Sequence, residues 1–257
     1  MRFALLMLAF ASAAAAQDFR VYTTVREGEG DGGPVLSRSL TLFHAGKTYD
    51  HIEAVGEVVI GEPAHRRFTL LRGGSVACRV SFDEVRQFRR AGASETKAYA
   101  GELAADPEQA GAAAALMFQL EPRFAVAERA GGLTMTSPTW SYDVDAAAAV
   151  SPGHAAAYLS YADRAANLNY VLHPQSFFPA AREALDEELS ARGVVPTRVG
   201  LSVDVGRPLR LTAEHRFDWT LHAFDRTQIQ TWERTAESPD LEWVSFREYQ
   251  TRLVARQ

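Results

Sequence analysis

The sequence predicts an α+β protein: a strongly curved, half-barrel-like antiparallel β-sheet with helices packed on its concave face. Three observations carry this expectation. Six short period-two segments joined by tight turns fill residues 18–82, and such short joints suit antiparallel neighbours, because parallel strands need long crossovers. Helix start and stop signals bracket several segments between residues 81 and 193. Near the end, apolar and polar residues alternate from Leu209 to Leu221, a strand of about 13 residues. A ribbon that long, wet on one face, must twist, and it buries its apolar side by wrapping around helices.

The elements follow in order. Phe19, Val21, Thr23 and Val25 alternate with Arg20, Tyr22, Thr24 and Arg26, and a glycine-rich turn spans 28–33. Segment 35–44 places Leu36, Leu40 and Leu42 on one parity, and Ala45-Gly46-Lys47 turns it into 48–53. Segments 56–60, 67–71 and 76–80 complete a meander. Ser81 and Glu84 have capping-box spacing, with Val80 and Val85 placed as a hydrophobic staple. They start a helix over 83–90, which Gly92 interrupts before a restart through Leu103. Asp106, Pro107 and Gln109 start another helix, stopped by Pro122, whose small-residue run 111–115 suits close packing. Segments 123–128 and 133–136 flank Ala130-Gly131-Gly132, a hairpin signal. Trp140, Tyr142 and Val144 then alternate with Ser141, Asp143 and Asp145. Ser151-Pro152-Gly153 opens a helix with Tyr158, Tyr161, Ala165, Leu168 and Leu172 on one face. A helix over 179–191 aligns Ala181, Leu185 and Leu189 and stops at Gly193. Val199, Leu201, Val203 and Val205 begin the last β region, and Gly206-Arg207-Pro208 turns it into the long strand. Residues 225–235 read as a helix, whereas periodicity leaves 241–253 open between helix and strand.

Composition narrows the function classes. The chain has 257 residues, 27 basic against 32 acidic, and a formal charge of −5. It lacks the cationic surplus that non-specific nucleic-acid binding requires. A hydrophobic share of 47% excludes a disordered chain. The single cysteine, Cys78, excludes a disulfide framework. It shares a parity with Val76 and Val80, as a buried, inert thiol would.

Residues 1–16 have the pattern of an export signal: Arg2 supplies the positive charge, Leu5 to Phe10 an apolar core, and Ala14-Ala15-Ala16 the small residues before a cleavage point. The remaining 17–257 read as one α+β domain, or as two sub-lobes, 17–121 and 122–257, sharing a sheet. No later run is long and apolar enough to span a bilayer. Alanine richness and the use of arginine over lysine suggest a bacterial coding background. Together these place the protein in the periplasm or outside the cell.

The candidate sites are few. Trp140, Tyr142, Tyr158, Tyr161, Phe217 and Trp219 would line the inside of a curled sheet, as a pocket for an apolar ligand or as solid core. His65, Arg66 and Arg67, beside Glu62, form a polar turn that would grip a carboxylate or phosphate through arginine forks or pair with nearby acids. His44 and His51, with Asp50 and Glu53 nearby, are the best metal guess, though zinc needs three or four converging ligands. His215 sits on the apolar parity as a hydrogen-bonded core residue, away from Asp218 and His222. No serine-nucleophile elbow, zinc-protease, P-loop or dinucleotide motif is present. The residues therefore call for no cofactor and no catalytic or metal site.

The segments Asp18-Phe19-Arg20-Val21-Tyr22-Thr23, Ser39-Leu40-Thr41-Leu42-Phe43-His44-Ala45-Gly46-Lys47-Thr48-Tyr49-Asp50 and Glu62-Pro63-Ala64-His65-Arg66-Arg67-Phe68 resemble uncharacterised exported bacterial proteins. That group has no established activity to lend. The layout more distantly resembles the periplasmic lipoprotein-carrier half-barrel, which implies a lipid-like ligand over an apolar cavity. It differs in reaching its first strand without a preceding helix and in its greater length. The sequence reading is thus an exported, non-enzymatic carrier of an apolar or lipid-like ligand. Two alternatives stand beside it: an envelope interaction module with a packed core, and a hydrolase or metal enzyme using His44, His51 or His65. Produced in a bacterial host, the chain is expected outside the cytoplasm, beginning at Gln17. Intact mass measurement checks this, and a cytoplasmic product retaining residues 1–16 would refute it.

Overall fold

A computed structural model describes residues 17–30, 32–173, 176–205 and 208–254. Residues 1–16, the expected export segment, lie outside the described residues, as do Asp31 of the first glycine turn and Gly206 and Arg207 of the last. The fold is α+β. Its strands are β1 (Phe19–Glu27), β2 (Val35–His44), β3 (Lys47–Ile52), β4 (Glu57–Glu62), β5 (Arg67–Arg72), β6 (Val76–Ser81), β7 (Ala125–Arg129), β8 (Gly132–Thr136), β9 (Trp140–Ala148), β10 (Val194–Val203), β11 (Leu209–Asp218) and β12 (Glu242–Val244). The helices are α1 (Phe82–Ala104), α2 (Ala110–Leu120), α3 (Pro152–Leu172), α4 (Ala180–Arg192), α5 (Ala223–Ala236) and α6 (Phe246–Val254).

All twelve strands join one open sheet in the order β12-β6-β5-β4-β3-β2-β1-β11-β10-β9-β8-β7. Every pairing is antiparallel except the three-residue β12, which lies parallel to β6. The meander β1 to β6 follows from the sequence pattern. The key long-range joint is β1 with β11, in register from Arg20↔Asp218 to Glu27↔Leu211.

One face of the sheet is covered by α1, α3, α4 and α6. Phe19, Val21, Phe43, Tyr142, Val144, Val195 and Val199 pack there against Ala155, Tyr158 and Leu159 of α3 and Ala181, Leu185 and Leu189 of α4. Further along the same face, Phe68, Leu70, Cys78 and Val80 meet Leu168, Val171 and Leu172 of α3, Val85 of α1, and Phe246, Tyr249 and Leu253 of α6. A single helix, α3, therefore belongs to both clusters. On the opposite face Leu42, Tyr49, Val58, Ile60, Leu71 and Ala77 of β2 to β6 receive Ile229 and Trp232 of α5. Arg20 ties that helix down, donating to the fully buried Asp225 at 3.0 and 3.2 Å.

Three local expectations change. The long strand ends at Asp218 after ten residues, and Trp219 lies beyond it. Asp218 accepts from the N–H and hydroxyl of Thr220, a side-chain turn that competes with ladder pairing. The helix begun by the Ser81–Glu84 capping box runs unbroken past Gly92. A Cβ at Gly92 would come within 2.5 Å of the Tyr170 hydroxyl, so this glycine leaves room for the tip of an α3 side chain and does not stop the helix. The open segment 241–253 resolves into β12 and then α6. Among the described residues no helix is long and apolar enough to cross a membrane.

Leu189 is fully buried between α4 and the sheet. Leu189→Ala should therefore cost about 2–5 kcal/mol of stability, the usual penalty for a cavity in a close-packed core. Urea unfolding measures it.

Candidate functional site: an apolar cavity beside a buried polar row

Strands β1, β11, β10 and β9 turn one set of side chains toward the helices. Their register places Val25 opposite Ala213, Ala213 opposite Val199, and Leu211 opposite Leu201. These residues and Leu209 are the strand side of a cavity of about 470 Å³. Trp140 and Tyr142 of β9, Phe177, Phe178 and Pro179 before α4, and Ala166 and Asn169 of α3 supply the rest of its wall. Arg182 of α4 is the one charged residue lining it, and Asn169 and Ser176 are the uncharged polar ones. The volume is in the range of small-molecule pockets, which bury an apolar body and orient it with a few polar groups.

The six aromatic candidates separate into two sets. Trp140 and Tyr142 line the cavity; Phe177 meets the Trp140 ring edge-on at 4.7 Å. Tyr158, Tyr161, Phe217 and Trp219 do not line it. They form a packed aromatic block: Phe217 stacks on Trp219 at 5.0 Å, Tyr158 meets Phe217 edge-on at 4.9 Å, and Tyr161 meets Phe43 at 5.5 Å. Such offset and edge contacts are the geometry that ring quadrupoles favour.

A row of buried polar groups lies between cavity and block. Arg182 Nε donates to Asp186 at 3.0 and 3.1 Å, one turn along α4. Burial raises the Asp186 pKa even though Arg182 opposes the shift. The Tyr158 hydroxyl lies 3.3 Å from His215 Nδ1, and the Thr23 hydroxyl lies 3.1 Å from the same nitrogen. Burial, reinforced by the charge of Arg182, pushes His215 down to about 3. The imidazole is therefore neutral at physiological pH. With Nδ1 facing two hydroxyls, the buried Nε2 has no hydrogen-bond partner among the described residues. Unpaired buried groups of this kind are uncommon and cost about 1–3 kcal/mol each. Burial also holds the Tyr158 hydroxyl up at about 12, so it stays protonated.

No family profile matches this chain, and no curated protein does.

The polar turn is built differently from the cavity. Arg67 donates to Glu62 at 2.8 and 3.2 Å, His65 Nδ1 lies 3.2 Å from Glu62, and Thr69 donates to it at 3.2 Å. Burial opposes the charge on Glu62, but these bonds outweigh it and hold the pKa down at about 2. His65 and Arg67 are thus engaged by an internal carboxylate. Arg66, left-handed at φ 52°, points instead to Asp83 at 3.2 Å.

The metal guess does not assemble. His44 Nδ1 lies 2.9 Å from Asp18, whereas His51 sits against the Trp232 ring at 5.6 Å. Asp50 faces the other way, accepting from Thr41 at 2.9 Å and from Tyr161, with its pKa raised by burial. Among the described residues no group of three or more His, Cys, Asp or Glu could hold a metal ion. Cys78 is buried and its thiol is pushed up to about 11, chiefly by burial, which leaves it protonated and unreactive.

Sequence reasoning missed Arg182 because Arg182 and Asp186 at i,i+4 look like a solvated helix pair.

The folded state keeps His215 neutral below its ordinary pKa of 6.5, so the unfolded chain binds the extra proton. Stability from this group is complete above about pH 6.5 and is lost as pH falls toward about 3, at about 1.4 kcal/mol per unit. Urea unfolding across that window should show wild type losing stability relative to His215→Gln. Parallel curves for the two proteins would remove the assignment.

Proposed function

We propose that this chain is an exported, periplasmic protein that binds a small apolar or lipid-like ligand, and that it does so without chemistry. The observation that carries the reading is the cavity of about 470 Å³, walled by Trp140, Tyr142, Leu201, Leu209, Leu211 and Ala213, with Arg182 its one charged lining residue. In this reading the sheet bends around α3 and α4, and the helices occupy its concave side. The ligand body replaces water against the strand residues, and a polar end meets Asn169, Ser176 or Arg182. Burying about 100 Å² of ligand hydrocarbon is worth about 2.5 kcal/mol, so even a short chain gains from entry. The pattern of residues 1–16 supports delivery outside the cytoplasm, where a carrier shields such a molecule from water.

A second reading, an interaction module of the cell envelope, is favoured by one observation. Strand β7 is a sheet edge whose residues Ala125 to Glu128 are all exposed, and such edges can template pairing with another chain. One titration separates the two readings. Dansylated undecanoic acid should gain fluorescence on mixing with wild type. Ala213→Trp, which fills the cavity from the strand side, should weaken uptake at least about tenfold, roughly 1.4 kcal/mol. Circular dichroism confirms that the variant is folded. No uptake by wild type, or equal uptake by folded Ala213→Trp, defeats the carrier reading; the interaction module then stands.

A further inference from the structure

A second concavity, of about 370 Å³, opens between α1, α3 and the turn joining β4 to β5. Four of its ten lining side chains are arginines: Arg66, Arg86, Arg89 and Arg164. Arg89 is neutralised, clamping Glu183 with both terminal nitrogens and donating to Asn167 at 2.9 Å. Arg66 and Arg86 share one carboxylate, Asp83, and all three side chains are largely exposed, at 60%, 45% and 66%. Exposed pairs of this kind hold weakly and yield to a stronger anion.

Arg164 stands apart. Its guanidinium donates to the Ser160 hydroxyl at 2.6 Å and lies over the Phe82 ring at 5.7 Å. It makes no ion pair among the described residues, although it is partly buried, and burial pulls its pKa down. A half-buried guanidinium with no ion pair is open to an anion that would complete it. Asp163 lines the same cleft and its charge favours the Arg164 cation, but the two make no ion pair. Phe82, Phe68, Pro63 and Val85 add an apolar floor to the same cleft.

We propose that this cleft binds a small phosphate monoester. The dianionic head sits among Arg66, Arg86 and Arg164, and the organic body rests on Phe82 and Pro63. Guanidinium forks match phosphate oxygens in pairs, and a dianion draws Arg66 and Arg86 away from the exposed Asp83. The site is separate from the apolar cavity, so either can fail alone.

Isothermal titration of the full chain with phenyl phosphate and with inorganic phosphate, at fixed ionic strength, tests the proposal. Phenyl phosphate should bind at least about tenfold more tightly than inorganic phosphate, because its ring covers apolar floor. Arg164→Gln should weaken it at least about tenfold through loss of a charge-assisted contact. The exposed double variant Arg66→Gln/Arg86→Gln should do the same and carries the test if Arg164→Gln fails to fold. Arg216→Gln, on the other sheet face, should change nothing. No binding of phenyl phosphate, binding indifferent to the cleft variants, or an equal loss in Arg216→Gln overturns the site. Equal affinity for the two phosphates overturns the ester, since the organic body would then make no contact.

Discussion

The pairing of β1 with β11 holds this protein together. It joins a strand from the first tenth of the chain to one from the last fifth, through eight register pairs. Without it the sheet would divide into β12 with β6 to β1 on one side and β11 to β7 on the other. Each part would present a long unpaired edge to water. The helix layer reinforces the joint, because α3 packs its first turns on one cluster and its last on the other. The polar row beneath, from Thr23 on β1 to His215 on β11 and Tyr158 on α3, crosses the same seam. Both the cavity and its neighbouring aromatic block therefore sit where the two parts of the sheet meet.

This placement explains the mixed character of the site. Here Val25 and Ala213 at the seam, with Val199 and Leu201 on the next strand, line a pocket shared with Arg182 of α4. Arg182 reaches into that space from its pair with the buried Asp186, and a largely buried ionic pair is weak evidence of stability. In the proposed reading, Arg182 is a defined polar end for an otherwise oily pocket.

Much of the fold was legible in the residues. The alternation in β1 to β6, the Ser81–Glu84 capping box and the glycine after α4 each have one physical interpretation, and the structure contains all three. What escaped was set by tertiary contact. Gly92 reads as a break until the Tyr170 hydroxyl is seen in the space its missing side chain leaves. The three residues of β12 are too few to show a period. The site was legible in part: Trp140 and Tyr142 were in reach because strand parity fixes their face, whereas Phe217 and Trp219 share that parity yet pack against Tyr158 and Phe19. Of the converging arginines only Arg66 was in reach, as part of the polar turn. Arg66, Arg86 and Arg164 come from a turn and two helices, and only the crossing of α1 over α3 gathers them.

The late partner of β1 also bears on how the molecule reaches this shape. Thr23 and His215 are separated by 192 positions, so the first strand waits for almost the whole polypeptide before its second neighbour exists. Closing such a span is entropically slow compared with forming a hairpin. The early strands can zip into a meander as they emerge, but their leading edge stays raw until the end. A chain threaded through a pore from its N-terminus would thus remain incompletely sealed, and open to chaperones, until nearly its last residue has crossed.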